Sequence, residues 1–130
     1  MSDPTDWNIL VIDDEPDNLS ILAFVFSFQH IRFRTADNGT LGLTLLHEEK
    51  PTLVLLDLQM PRLSGWDILR IIREDSTLKD LPVFAITAFV SDEQRQKAIA
   101  AGFDGFIAKP IKPRTFVDEL NVLLQAKSGN

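Results

Sequence analysis

Leu53-Val54-Leu55-Leu56 is apolar without a break, and no other stretch constrains the fold of this chain so tightly. A strand with one wet face alternates polar and apolar residues; a strand with none must be covered on both sides, which places it in the middle of a parallel sheet. Asn8–Ile12 has the same character after its first residue. Parallel neighbours cannot be joined by a tight turn and need a crossover, usually a helix. The intervening sequence supplies one each time. Short strand-like runs at Asn8–Ile12, Arg32–Ala36, Leu53–Leu56, Pro82–Ile86 and Gly105–Ala108 alternate with longer helical stretches. The pattern predicts an α/β domain with a five-stranded parallel sheet and helices on both faces.

The helices announce their own ends. Pro16 suits a first helical position, where its missing N–H has no partner to lose, and Leu19, Leu22, Ala23 and Phe26 follow at helical spacing. Asn38 and Gly39 break the second strand, and Leu41–Glu49 reads as a helix that stops before Pro51. Ser64 and Asp67 form a near capping box ahead of Ile68, Leu69, Ile71 and Ile72. Ser91 and Gln94 repeat that pattern, and Gly102 closes the fourth helix. Pro113 is expected to open the last helix, with Phe116, Leu120 and Leu123 on one side. The expectation is one domain over residues 1–130, its core about 7–125, with short frayed tails at Met1–Asp6 and Lys127–Asn130.

Several function classes fall away early. There is no cysteine, which removes disulfides, thiol catalysis and Cys-ligated zinc. His30 and His47 stand at no metal-ligand spacing and are expected to be exposed. A net charge of −6 argues against binding a nucleic acid. No apolar run approaches a membrane span, and the N-terminus lacks a signal peptide's basic start; the expected location is the cytoplasm, without membrane attachment.

Reactive polar residues sit where apolar strands stop. Asp13 and Asp14 follow the first strand, Asp57 the third, Thr87 the fourth and Lys109 the fifth. In a parallel sheet these ends share one edge, where ligands of open α/β sheets bind. Three neighbouring carboxylates resist ionising together, and a hard cation relieves them. A few carboxylates plus a phosphate ligand favour Mg²⁺ over Ca²⁺. With an ammonium at Lys109 and a hydroxyl at Thr87, the set suits a phosphoryl group carried on Asp57.

Val11-Ile12-Asp13-Asp14-Glu15, Leu56-Asp57-Leu58-Gln59-Met60-Pro61, Ser64-Gly65, Ile86-Thr87-Ala88 and Lys109-Pro110, in this order, resemble the response-regulator receivers, the CheY-like domains of two-component signalling. The resemblance runs along essentially the whole chain. It implies a flavodoxin-like, doubly wound sheet of order 2-1-3-4-5 with five helices. It implies that Asp57 is the phosphoacceptor, that Asp14 holds Mg²⁺ (Mn²⁺ as a substitute) directly with Asp13 acting through a water, and that the Gln59 backbone carbonyl completes the protein ligands. Lys109 would pair with the phosphoryl oxygens, before a Lys109–Pro110 bond often cis in such domains. Thr87 would move toward the phosphoryl group, and Phe106 would rotate with it.

The implied donor is a sensor histidine kinase or a histidine phosphotransfer protein. The implied output is a protein target, or a phosphorylation-dependent dimer, on the face of the fourth helix, fifth strand and fifth helix, with Val90, Ile99, Ala108 and Lys112.

Two positions depart from the common pattern. Phe106 replaces a frequent tyrosine, so its switch has no hydroxyl. Phe89, two residues past Thr87, is large and apolar; with Gln59 it flanks the path of a hydrolytic water, and is expected to lengthen the phosphorylated lifetime. The Gln59 and Phe89 pairing is similar to that of small DivK-like regulators.

Other readings stand beside these. Asp13 and Asp14 suit a helix cap; Asp57 and Lys109 suit a structural ion pair; Thr87 suits a strand end; Phe106, Trp7 and Trp66 suit packing. For the whole chain the alternatives are a receiver-like adaptor indifferent to phosphorylation, a flavodoxin-like cofactor protein, and a haloacid-dehalogenase-type phosphatase. The flavodoxin reading is disfavoured by acids where a phosphate loop belongs, the phosphatase reading by adjacent rather than alternate aspartates.

Overall fold

A computed structural model describes residues 3–88 and 91–128. Five strands form one parallel sheet: β1 (Asn8–Ile12), β2 (Arg32–Ala36), β3 (Leu53–Asp57), β4 (Val83–Thr87) and β5 (Gly105–Ala108). Their order across the sheet is β2-β1-β3-β4-β5. The helices are α1 (Pro16–Phe28), α2 (Gly39–Glu48), α3 (Gly65–Glu74), α4 (Asp92–Ala101) and α5 (Phe116–Ser128).

The period-2 geometry of a strand sends neighbouring side chains to opposite faces, and here both faces are oily. Ile9 and Val11, Leu53 and Leu55, and Phe84 and Ile86 point into a core with Leu22, Val25 and Phe26 of α1 and Phe116, Val117 and Leu120 of α5. Leu10 and Ile12, Val54 and Leu56, and Val83 and Ala85 point into a second core with Leu46 of α2, Ile68, Leu69 and Ile72 of α3, and Ala98 of α4. All five residues of β1, β3 and β4 are buried, as a sheet interior demands.

The helix signals mostly hold. Ser64 accepts from the Asp67 N–H and Asp67 accepts from the Ser64 N–H, a complete capping box. Ser91 accepts from the Gln94 N–H at 3.1 Å. Gly102, at φ 115°, ends α4 in the left-handed region that glycine enters without penalty.

Several boundaries move. β3 includes Asp57 and β4 includes Thr87, because Asp57 pairs with Ile86 and Thr87 with Ala108. Pro82, with no N–H to donate, stays outside β4, although its carbonyl accepts from Val54. α2 starts at Gly39 under an Asn38 cap rather than at Leu41. Pro113 does not open α5: residues 113–115 turn first, with the Thr115 N–H donating to Lys112, and the helix begins at Phe116. The buried stripe of α1 is Asn18, Leu22, Val25 and Phe26, while Leu19 and Ala23 are half-buried.

Of the ends expected to fray, Met1, Ser2, Gly129 and Asn130 lie outside the described residues, and the rest is held. Pro4–Asp6 forms a 3₁₀ turn capped by Asp3, Trp7 is buried in the first core, and Lys127 on the last turn of α5 reaches Asp104 at 2.9 Å. At the far edge from the strand C-termini, Arg73 donates to the carbonyls of Lys79, Leu81 and Gly102 and to Asp104, fastening the ends of α3 and α4 and the start of β4 together. Among the described residues, no helix is long and apolar enough to cross a membrane.

Candidate functional site

The C-terminal ends of β1, β3 and β5 place four of the expected site residues together. Asp13, Asp14 and Asp57 each offer a carboxylate oxygen within 4.8 Å of the others. Asp13 and Asp57 are buried, and Asp14 is half-buried. The Lys109 ammonium lies 2.5 Å from Glu15, 3.4 Å from Asp57 and 3.8 Å from Asp13. Its side chain is only 11% exposed, so it meets Asp13 and Asp57 in poorly solvated surroundings, while Glu15 is exposed. The Lys109–Pro110 bond is cis.

Local structure fixes each carboxylate. Asp57 accepts from the Gln59 N–H at 3.0 Å, which turns one oxygen toward the loop and leaves the other toward Lys109. Asp13 accepts from the Glu15 N–H and from the Asn18 amide. The Thr87 hydroxyl side chain is buried, and the Thr87 carbonyl accepts from the Lys109 N–H at 2.8 Å. Thr87 continues the Val83–Ala85 side of β4, and half-buried Phe106 packs against the same core. Gln59 is exposed. On the expected output face, Ile99, Ala108 and Lys112 are exposed. Phe89 and Val90 lie outside the described residues. Trp7 is wholly core, Trp66 packs edge-on against Phe103, and His30 and His47 are exposed, as expected.

Three positions carry more than the sequence reading gave them. Glu15 is the nearest partner of Lys109; it was visible only as the third acid of the Asp13-Asp14-Glu15 run. Asn18 braces Asp13, and its signal was a polar residue on the same helical stripe as Leu22 and Val25. Gly65 lies so close to β3 that a Cβ there would meet the Asp57 carbonyl oxygen at 2.3 Å.

The electrostatics of the three acids would be relieved by a cation. Burial, seconded by the charge of Asp13, pushes the Asp57 carboxyl above its ordinary pKa, although the Gln59 N–H and Lys109 pull the other way. Burial and then the charge of Asp57 raise Asp14. Burial alone would lower Lys109, but the Glu15 hydrogen bond and the charges of Asp13, Asp57 and Glu15 outweigh it and hold the ammonium up.

An acid whose pKa is higher folded than unfolded costs stability once ionised, because the native state holds the proton longer. The cluster's contribution therefore falls as pH rises through the window above the ordinary 3.8, and the loss disappears below it. In buffer freed of divalent ions, Asp57→Asn is expected to melt above the wild type at neutral pH. The gap should close as pH falls toward about 4. A gap that stays constant across a thermal-melt pH series would show that ionisation of this cluster is not its source.

A family model described as the response regulator receiver domain matches residues 9–121. An uncharacterised 14.6 kDa protein of Leptolyngbya boryana is 35% identical over 106 residues, spanning 82% of this chain and 81% of its own length. The polar-differentiation response regulator DivK of Brucella anthropi is 28% identical over 120 residues, covering 90% of this chain and 95% of DivK. Among solved structures, the chemotaxis protein CheY4 of Vibrio cholerae superposes with a TM-score of 0.84 at 23% identity, over 90% of this chain and 98% of that one. At that identity the superposition speaks for the fold; it is the sequence match over residues 9–121, on a sheet of order 2-1-3-4-5, that places the chain in the response regulator receiver family of two-component signalling.

Proposed function

We propose that this chain is a receiver that accepts a phosphoryl group on Asp57. What carries the reading is one arrangement: a buried carboxylate at a strand end, grouped with Asp13 and Asp14 and 3.4 Å from the Lys109 ammonium. The raised pKa values of Asp14 and Asp57 fit a site designed to be neutralised by a cation, and an all-oxygen donor set suits Mg²⁺, or Mn²⁺ in its place. Asp14, Asp57 and the Gln59 carbonyl would hold it, with Asp13 acting through a water. Bound there, the ion supplies positive charge against the transferring phosphoryl oxygens.

The protein's own part is positioning and charge. An ionised Asp57 oxygen attacks phosphorus in line; the bond from phosphorus to the donor imidazole nitrogen breaks, and its electron pair stays on the imidazole. Lys109 offsets the charge on the phosphoryl oxygens. Glu15 holds Lys109 until the phosphoryl group gives it a better partner. Water later attacks the acyl phosphate, returning the carboxylate and releasing phosphate. On the family pattern Gln59 and Phe89 would flank that path, and the bulk of Phe89 would slow the reset.

The donor is a histidine kinase or a histidine phosphotransfer protein, in the cytoplasm. The phosphoryl group draws Thr87 toward it and Phe106 follows, a population shift between two arrangements. The remodelled α4-β5-α5 face, with Ile99, Ala108 and Lys112, is then read by a protein target or a second copy of the chain, without contact to nucleic acid or membrane.

The deciding experiment is incubation with acetyl phosphate and Mg²⁺ followed by intact mass. The wild type should gain the mass of one phosphoryl group, and Asp57→Asn should gain none. Equal mass gain in both proteins would move the acceptor elsewhere.

A further inference from the structure

α4 is an unusual helix for its place. Its first turn is acidic, with Asp92 and Glu93, and Ala98 is its only buried residue. A helix with so little apolar surface under cover is weakly held by the hydrophobic effect. Its two side-chain grips on neighbouring elements are both cationic. Lys97 lies 5.5 Å from the centre of the Trp66 ring, and the Arg95 guanidinium lies 4.6 Å from the centre of the Phe106 ring. A guanidinium this close to a ring centroid is attracted by the ring's quadrupole. Among the described residues, no carboxylate forms an ion pair with Arg95, whose guanidinium lies over the ring.

Phe106 is the residue to which a phenol would give a hydrogen-bonding end, and here it has none. It is half-buried, on the same side of the sheet as Thr87, and Arg95 covers its outer face.

We propose that Arg95 is a latch on the switch aromatic: its guanidinium, stacked on Phe106, holds the ring in its resting rotamer and ties α4 to the sheet, in place of the hydroxyl a tyrosine would offer. Rotation of Phe106 then breaks the stack and frees the α4 face to move. Arg95 is a positioning residue, since it touches neither Asp57 nor the residues grouped around it. The inference deepens the receiver reading, on which the use of the switch rests.

The test uses the whole chain, with phenylalanine carrying ¹³C and ¹⁵N. Three-bond couplings to the Phe106 Cγ report its rotamer populations in the resting protein, and Phe106→Leu assigns the signals. Arg95→Met keeps an unbranched apolar stem and removes the guanidinium with its charge. It is expected to raise the population outside the resting rotamer by about two- to five-fold, the range that an exposed cation–π contact supports. Arg95→Lys, which keeps a cation, should raise it less. Unchanged populations in Arg95→Met would overturn the latch. So would equal effects of methionine and lysine, which would assign the change to lost packing.

Intact mass after acetyl phosphate and Mg²⁺ is read on the same samples. A wild type that gains no phosphoryl mass would remove the receiver reading, whereas the couplings decide the latch in either case.

Discussion

Lys109→Met should slow phosphorylation of Asp57 by acetyl phosphate about a hundredfold, the cost of removing one preorganised charge that meets the transferring group. Its ammonium serves two separable purposes. It stands 3.4 Å from Asp57 and helps keep that buried carboxylate ionised, and it would meet the oxygens of a phosphoryl group arriving there. Methionine matches the length of the side chain but leaves Asp13, Asp57 and Glu15 facing one another without their shared counter-ion.

A pH–rate profile separates the two purposes. The part of the loss due to a less ionised Asp57 should be recovered on raising the pH, because more of the carboxylate is then charged; the part due to missing charge in the transition state should not. Rates followed by mass against time, at several Mg²⁺ concentrations, would check this. A variant within about threefold of wild type at saturating Mg²⁺ would mean that the metal alone neutralises the transferring group and that Lys109 serves as a structural partner.

Gly65→Ala is expected to be the most damaging conservative change in the chain. The added methyl would sit 2.3 Å from the Asp57 carbonyl oxygen and 2.9 Å from the Leu58 Cα, both backbone atoms that no rotamer change can move. Either α3 is pushed off the sheet or the end of β3 is displaced. Forcing one methyl into such a contact costs about 2 kcal/mol or more. Any backbone shift also carries Asp57 away from Lys109. Chemical denaturation should register the stability loss, and acetyl phosphate uptake should fall even at temperatures where the variant is folded. A fully stable Gly65→Ala with wild-type uptake would show that the loop after β3 yields far more easily than its packing implies.

How far the sequence carried this picture depends on which physical signal each feature left. The sheet was legible because three strands are apolar on both faces, a pattern with few other solutions. Asp13, Asp14, Asp57 and Lys109 were legible because the end of a parallel strand is a shared address, so chain order alone gathers them. Element boundaries were harder. Pro113 fits a first helical turn and a preceding loop turn equally well, and only the Thr115–Lys112 hydrogen bond decides for the loop. Two of the four positions expected on the α1 stripe, Leu19 and Ala23, are only half-buried, because Ile21, Leu22, Ala23, Phe24, Val25 and Phe26 are all apolar and periodicity carries little information there.

Glu15 and Asn18 were overlooked for a different reason. Their roles are relations to another residue, Lys109 in one case and Asp13 in the other, and neither relation has a spacing of its own. Gly65 was noticed as part of a motif but without its cause, since crowding against a carbonyl across the loop leaves no mark in a string of letters. The Arg95–Phe106 stack is of the same kind.

The Arg73 clamp at the opposite rim gives this molecule a fixed end and a free end. With the guanidinium gripping Gly102, the tail of α4 is pinned to α3 and to the start of β4, while the first turns of the same helix bury no residue and rest on the Arg95–Phe106 stack. A rod anchored at one tip does not slide when pushed; it swings. A shift of the sheet passed into this helix would then be read as an angle, larger at the end near Ser91 than at the end held by Arg73.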